Sequence, residues 1–165
     1  MVFAYLSDYP QLAPQLAALH HAEWGELMPG WSAAQALSEL QSHRQRSAIP
    51  TTLLALDKAA GADPVGSVSL LAEDDPRLPG YSPWLASLYV LPAWRGRGYG
   101  AALVQRAVQE AARIGVPRLY LFTAGQQNFY ARLGWRLIET VALAKATAHI
   151  MAIESEGGGA HARVF

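Results

Sequence analysis

The chain has 165 residues, 52% of them hydrophobic and 16% charged, with 13 basic and 13 acidic side chains. That is one domain's length with enough apolar surface for its own core, which excludes a disordered chain, and the balanced charge gives no global field for nucleic acid or an anionic membrane. With no cysteine, disulfides, thiolate metal sites and cysteine nucleophiles are excluded outright.

In chain order, "VFAYLS" reads as a short opening strand. Pro14 can occupy a first helical turn, and Leu16, Leu19, His20 and Glu23 follow at helical spacing. "GELMPGW" breaks that helix, and Ser32 is an N-cap for a second one running to about residue 46. "TTLLAL" and "VGSVSLLA" read as strands joined through the turn "DKAAGADP". After the proline-rich loop "EDDPRLPGYSP", "WLASLYV" is a third strand that ends before Pro92. A glycine turn leads to a helix over residues 98–114, with Leu103, Val104, Ala107, Val108, Ala111 and Ile114 on one stripe. "RLYLFT" is a strand, "QQNFYARL" a short helix stopped at Gly134, and "WRLIETVAL" and "ATAHIMAIE" two last strands. This order predicts an α/β fold, a mixed sheet with helices on its faces. It forms one domain over residues 1–154, followed by a flexible glycine-rich tail over 155–165. The opening residues lack the basic segment of a signal peptide, and no run reaches 18 apolar residues, so a cytoplasmic protein without a membrane span is expected.

The stretch "WRGRGYGAAL" carries the chemistry. Unpaired N–H groups and a partial positive charge at a helix N-terminus bind anions, and glycines let backbone approach a ligand closely. Arg95 and Arg97 add forked cationic donors, so Arg95, Gly96, Arg97, Gly98, Tyr99 and Gly100 read as a diphosphate cradle. The stretch also fits G-x-G-x-x-A, the nicotinamide dinucleotide pattern, but the next strand ends in "YLFTAGQ" without the carboxylate that pattern needs. A Walker sequence is absent.

"SLYVLPAWRGRGYGAALVQRAVQEAARIG" resembles the acetyl-CoA motif of the GNAT family of N-acetyltransferases, Q/R-x-x-G-x-G/A, with Arg95, Gly98 and Gly100 at its fixed positions. "FYARLGW" is similar to a second family element, with Phe129, Tyr130, Gly134 and Trp135 in place. The likeness is clear over residues 51–154 and weak over 1–50. It implies an α+β fold: a mixed, mostly antiparallel, seven-stranded twisted sheet, helices on both faces, and two central parallel strands splayed apart. It implies acetyl-CoA as cosubstrate and transfer of its acetyl group to a primary amine, of a small molecule or a peptide, by direct attack. Backbone of Leu88, Tyr89 and Val90 would hold the pantetheine arm, amides from Arg95 to Gly100 the diphosphate, and Tyr130 would protonate the departing thiolate. The family's frequent strand glutamate is missing from "WLASLYV", where Ser87 could only hold a water. The base is therefore open among Glu73, Asp74, Asp75, Glu23 and Glu26, or a backbone carbonyl and water chain. Gln126 or Asn128 takes the pantetheine contact that relatives give to an asparagine.

His20, His21, His43 and His149 have no metal-binding spacing, so no metal site is expected. Trp24 and Trp31 flank the loop that the resemblance places over the acceptor, and Glu23 and Glu26 there could attract a cationic amine. Trp84 and Trp135 read as core. A catalytically inactive acyl-CoA-binding or regulatory module and a nicotinamide dinucleotide oxidoreductase are the alternatives. Neither a nucleic acid nor a membrane partner is expected, and the protein would act as a monomer or homodimer.

Overall fold

The computed structural model describes residues 1–57 and 63–155. The seven strands are β1 (Val2–Tyr5), β2 (Thr51–Leu56), β3 (Pro64–Leu71), β4 (Trp84–Val90), β5 (Arg118–Thr123), β6 (Arg136–Ala142) and β7 (Thr147–Glu154). They form one sheet in the order β1-β2-β3-β4-β5-β7-β6. Every neighbouring pair is antiparallel except β4 and β5. Among the described residues four α-helices accompany it: α1 (Ala13–Trp24), α2 (Ala33–Ser42), α3 (Tyr99–Arg113) and α4 (Gln127–Arg132). A strand paired with an antiparallel neighbour feeds the glycine turn, so the connection is not the opening crossover of a doubly wound dinucleotide fold.

Alternation along β2 assigns the layers. Leu53 and Ala55 join Val68, Leu85, Leu103, Ala107 and Leu121 in the core beneath α3, whereas Leu54 and Leu56 pack with Leu16, Ala36 and Leu40 beneath α1 and α2. A third cluster, Leu78, Trp84, Ala148 and Ile150, closes the end of the sheet where β4 meets β5. Trp84 and Trp135 are both buried, as the sequence predicts.

The predicted N-cap of α2 is a complete capping box: Ser32 Oγ accepts from the Gln35 N–H at 3.1 Å, and Gln35 Oε1 accepts from the Ser32 N–H at 2.8 Å. Its end is corrected from about residue 46 to Ser42. His43 turns inward, where its Nδ1 lies 2.8 Å from Thr52 Oγ1, and Arg44 bridges to Thr51. Pairing with the sheet outweighs another helical turn. The opening strand is likewise shorter than predicted, because Leu6 folds into the core in a short 3-10 turn. Most of the predicted turn over 57–64 and of the tail lies outside the described residues. Ser155 is described, and its N–H donates to Pro117 O at 2.9 Å.

Among the described residues no helix is long and apolar enough to cross a membrane, and no group of three His, Cys, Asp or Glu side chains is arranged to hold a metal.

Candidate active site

The parallel strands touch at one end only. Trp84 registers with Tyr120, and the Tyr120 N–H donates to Pro83 O at 3.0 Å. Beyond that pair the strands part, and β4's edge toward β5 is left without a strand partner. A bulge in β4 sharpens the opening. Ser69 faces Ala86 and Ser67 faces Tyr89, so Ser87 and Leu88 together oppose the single residue Val68. Ser87 has φ 55°, a strained value for a residue with a Cβ. Leu91 donates its N–H to Val65 of β3 at 2.9 Å; N–H directions alternate along a strand, so the Val90 N–H points to the open side.

One cavity of about 520 Å³ runs along this edge to the start of α3. Leu88, Tyr89, Val90, Arg95, Gly96, Gly98, Tyr99, Gly100 and Gln126 all line it. Gly98 is the N-cap of α3 with φ 84°, and no side chain caps the helix. Among the described residues the N–H groups of Gly96, Arg97 and Gly98 meet no backbone carbonyl, and those of the first helical turn have none by geometry. A Cβ built on Gly96 or Gly98 would meet nothing within 4 Å, so these glycines leave room beside the turn rather than relieve packing. The two arginines are placed differently from each other. Arg95 Nε donates to Val90 O at 2.9 Å, its guanidinium lies 3.7 Å from the Glu23 carboxylate, and it covers the Tyr89 ring at 5.7 Å. Arg97 stacks on Trp94 at 5.0 Å and does not line the cavity. Neither does Asn128. The Tyr99 side chain turns away to donate to Asp57 at 2.5 Å, which leaves its backbone to the turn.

A second cavity of about 370 Å³ is lined by Leu85 to Leu88 of β4 and by Leu121 and Phe122 of β5, and shares Trp24, Leu88 and Tyr130 with the first. Tyr130 is 9% exposed and packs against Phe129 and Trp135, with ring centroids 5.0 and 6.2 Å away. Burial pushes its phenol up to about 12, so the hydroxyl stays protonated at neutral pH. Trp24 stands on the floor shared by both cavities, held between His20 and Tyr89 at 4.9 and 6.1 Å. Trp31 packs on His21 and donates to Glu39, away from both cavities. Glu23 faces Arg95 in the first cavity, and Glu26 lines neither.

The acidic loop before β4 supplies the second cavity's carboxylates, Asp74 and Asp75, whereas Glu73 does not line it. Asp75 is bound on both oxygens by Arg77, the closest contact 2.6 Å, and this pairing holds it below the ordinary carboxylate range. Asp74 enters no ion pair among the described residues. Burial, with Asp75 and then Glu39 nearby, pushes it up to about 7. Ser87 also lines this cavity. Leu27 and Met28, in the loop that the resemblance places over the acceptor, line this cavity; the sequence did not foresee Leu121 and Phe122 on β5, or Leu143, Lys145, Ala146, Thr147 and Ala148 around the β6–β7 turn. Scattered apolar residues carry no local pattern that would have found them.

A seven-stranded mixed sheet, split between parallel strands beside a glycine-capped helix and joined there by a second cavity, defines the class: an acyltransferase fold. The family model described as acetyltransferase (GNAT) matches residues 16–135, and the chain belongs to that family. The match reaches back into α1, where the sequence resemblance was weak. Among solved structures, an aminoglycoside 6'-N-acetyltransferase complexed with coenzyme A is 19% identical, covering 97% of this chain and 100% of that one at a TM-score of 0.74. The aminoglycoside 6'-N-acetyltransferase of Enterococcus faecium is 20% identical, with coverage of 97% and 100% and a TM-score of 0.72. YncA of Salmonella typhimurium with its cofactor acetyl-CoA is 18% identical, with coverage of 99% and 99% and a TM-score of 0.67. At these identities the likeness is one of fold. No curated protein sequence matches the chain significantly.

Proposed function

We propose that the protein is an acetyl-CoA-dependent N-acetyltransferase that acetylates the primary amine of a small molecule by direct attack. The observation that carries this reading is the junction of two cavities at Trp24, Leu88 and Tyr130, where β4 and β5 part. The first cavity fits coenzyme A. Its unpaired strand edge from Leu88 to Val90 suits a peptide-like pantetheine arm, and the free N–H groups around Gly96 to Gly100 suit a diphosphate. Gln126, at the far side, offers an amide to the arm. Acetyl-CoA supplies an activated thioester carbonyl when bound.

The second cavity receives the amine. An alkylammonium with a pKa of about 10 is not a nucleophile, so a proton must leave it. Asp74 takes that proton, because a carboxylate held near neutrality is a stronger base than one in the ordinary range. The Val90 N–H, aimed into the opening, donates to the thioester oxygen. Tyr130 delivers the proton that the departing thiolate needs. The volume of about 370 Å³ supports a small molecule as acceptor.

The test is release of free thiol from acetyl-CoA in the presence of a panel of primary amines. Tyr130→Phe should lower kcat at least tenfold and leave the Kd for CoA unchanged. CoA binding without thiol release toward any amine would instead leave an acyl-CoA-binding module.

A further inference from the structure

We infer that the acceptor is an amine with one cationic centre on an apolar body, of the size of an arylalkylamine, and not a polycation. The inference rests on the transferase reading for the reacting atoms and adds the substrate class.

The walls of the second cavity are apolar. Trp24, Leu27, Met28, Leu121, Phe122 and Leu143 make up most of the surface around the polar centre. At about 370 Å³ the cavity sits at the small end of ligand pockets, which run from roughly 300 to 1,000 Å³. Two apolar side chains at its mouth stand in water, Leu27 at 67% and Met28 at 38% exposure. Exposed apolar groups grouped at a cavity mouth are covered when an apolar ligand enters, and a hydrated sugar or polyamine gives them no such cover.

The charges point the same way. Among the described residues four charged side chains line the cavity: Asp74, Asp75, Arg77 and Lys145. Asp75 and Arg77 neutralise each other at 2.6 Å. One negative group, Asp74, and one positive group, Lys145, remain. A single ammonium can sit at Asp74, in the cavity that Tyr130 also lines. Each further ammonium would be forced against apolar wall or toward Lys145, where burial and like charge both oppose it. None of the other carboxylates near the entrance is a second anchor inside the cavity: Glu23 faces Arg95 in the first cavity, Glu39 accepts from the Trp31 indole, and Glu26 and Glu73 line neither cavity. The aminoglycoside enzymes therefore share this fold without dictating this pocket's ligand.

The experiment titrates 2-phenylethylamine, spermidine and kanamycin into the protein saturated with CoA, by calorimetry, and measures thiol release from acetyl-CoA with the same three amines. 2-Phenylethylamine should bind at least tenfold more tightly than either polycation. Asp74→Asn should weaken it at least tenfold while CoA affinity holds. Met28→Asp at the exposed rim should narrow the gap by strengthening spermidine. A polycation binding as tightly as 2-phenylethylamine, or no binding by any of the three, would overturn the inference. Binding in the expected order with no thiol release would overturn the transferase reading and leave the ligand class standing.

Discussion

Tyr130 and Asp74 are both displaced from their ordinary protonation behaviour, each in the direction the proposed reaction needs. Burial keeps the Tyr130 phenol protonated, pushed up to about 12, so it titrates outside the working range. Asp74, raised to about 7 by burial and by Asp75 and Glu39, is half ionised near neutrality. The rate should therefore carry Asp74's signature. kcat/KM for an amine rises with pH through about 7 as Asp74 loses its proton, and then levels off up to the amine's own pKa of about 10, because Asp74 itself takes the ammonium proton. Asp74→Asn removes the break near pH 7 and leaves a lower rate that climbs steadily toward the amine's pKa, and a pH profile of both proteins reads the difference. A break that survives in Asp74→Asn would assign the base elsewhere. At this scale Tyr130 was legible, because it sits in a sequence motif. Asp74 was one of five candidate acids; lining the second cavity set it and Asp75 apart from the other three, and having no ion pair among the described residues set it apart from Asp75, which Arg77 occupies.

Among the elements, two glycines separate binding from packing. Gly98 caps α3 in the left-handed region at φ 84°, and a Cβ there meets nothing within 4 Å. Gly98→Ala costs about 1 kcal/mol in backbone conformation. It also puts a methyl group into the space proposed for the diphosphate, so the Kd for CoA should rise at least fivefold. Gly66, in β3, is the opposite case. A Cβ there would lie 2.7 Å from Tyr89 O and 2.9 Å from Leu103 Cδ1, so β4 and α3 must separate. Gly66→Ala should cost about 1–3 kcal/mol, measured by denaturant unfolding, and should also weaken CoA binding because β4 carries the groove. Unchanged unfolding in Gly66→Ala would show that the sheet absorbs the strain. The turn glycines announced themselves by clustering with arginines. Gly66 gave no comparable signal, since its reason is a carbonyl and a leucine that are distant in the chain.

For the molecule as a whole, two buried histidines contribute to the loss of stability in acid. His20 lies 3.1 Å from Ser67 Oγ, and His43 lies 2.8 Å from Thr52 Oγ1, which in turn lies 2.8 Å from Ser69 Oγ. This polar line crosses the sheet face under α1 and α2. Burial lowers both imidazoles to about 4, with His43 adding to the effect at His20. A histidine depressed in the folded state binds its proton first in the unfolded chain, so stability is lost as pH falls from about 6.5 to about 4, roughly 3 kcal/mol for each. Asp74, raised in the folded state, works the other way and gains stability over nearly the same window as it takes up a proton. Unfolding midpoints measured from pH 7 to 4 should fall less steeply for His43→Gln than for the parent protein. They should fall more steeply for Asp74→Asn. Equal slopes in all three would show that these groups do not titrate in the folded protein.

The sequence by itself determined the family, the order of strands and helices, the glycine-capped helix and the tyrosine. All of these rest on local patterns: apolar periodicity, turn chemistry, and motifs a few residues long. The tertiary structure alone decided where the sheet opens, because the parting of β4 from β5 depends on a single register pair and a bulge at Ser87. It also turned Arg95 onto Val90 and Glu23, left Asp74 in the cavity, and walled that cavity with residues from Trp24 to Ala148. A side chain's partners are set by distances between segments far apart in the chain, and no short window of sequence contains them.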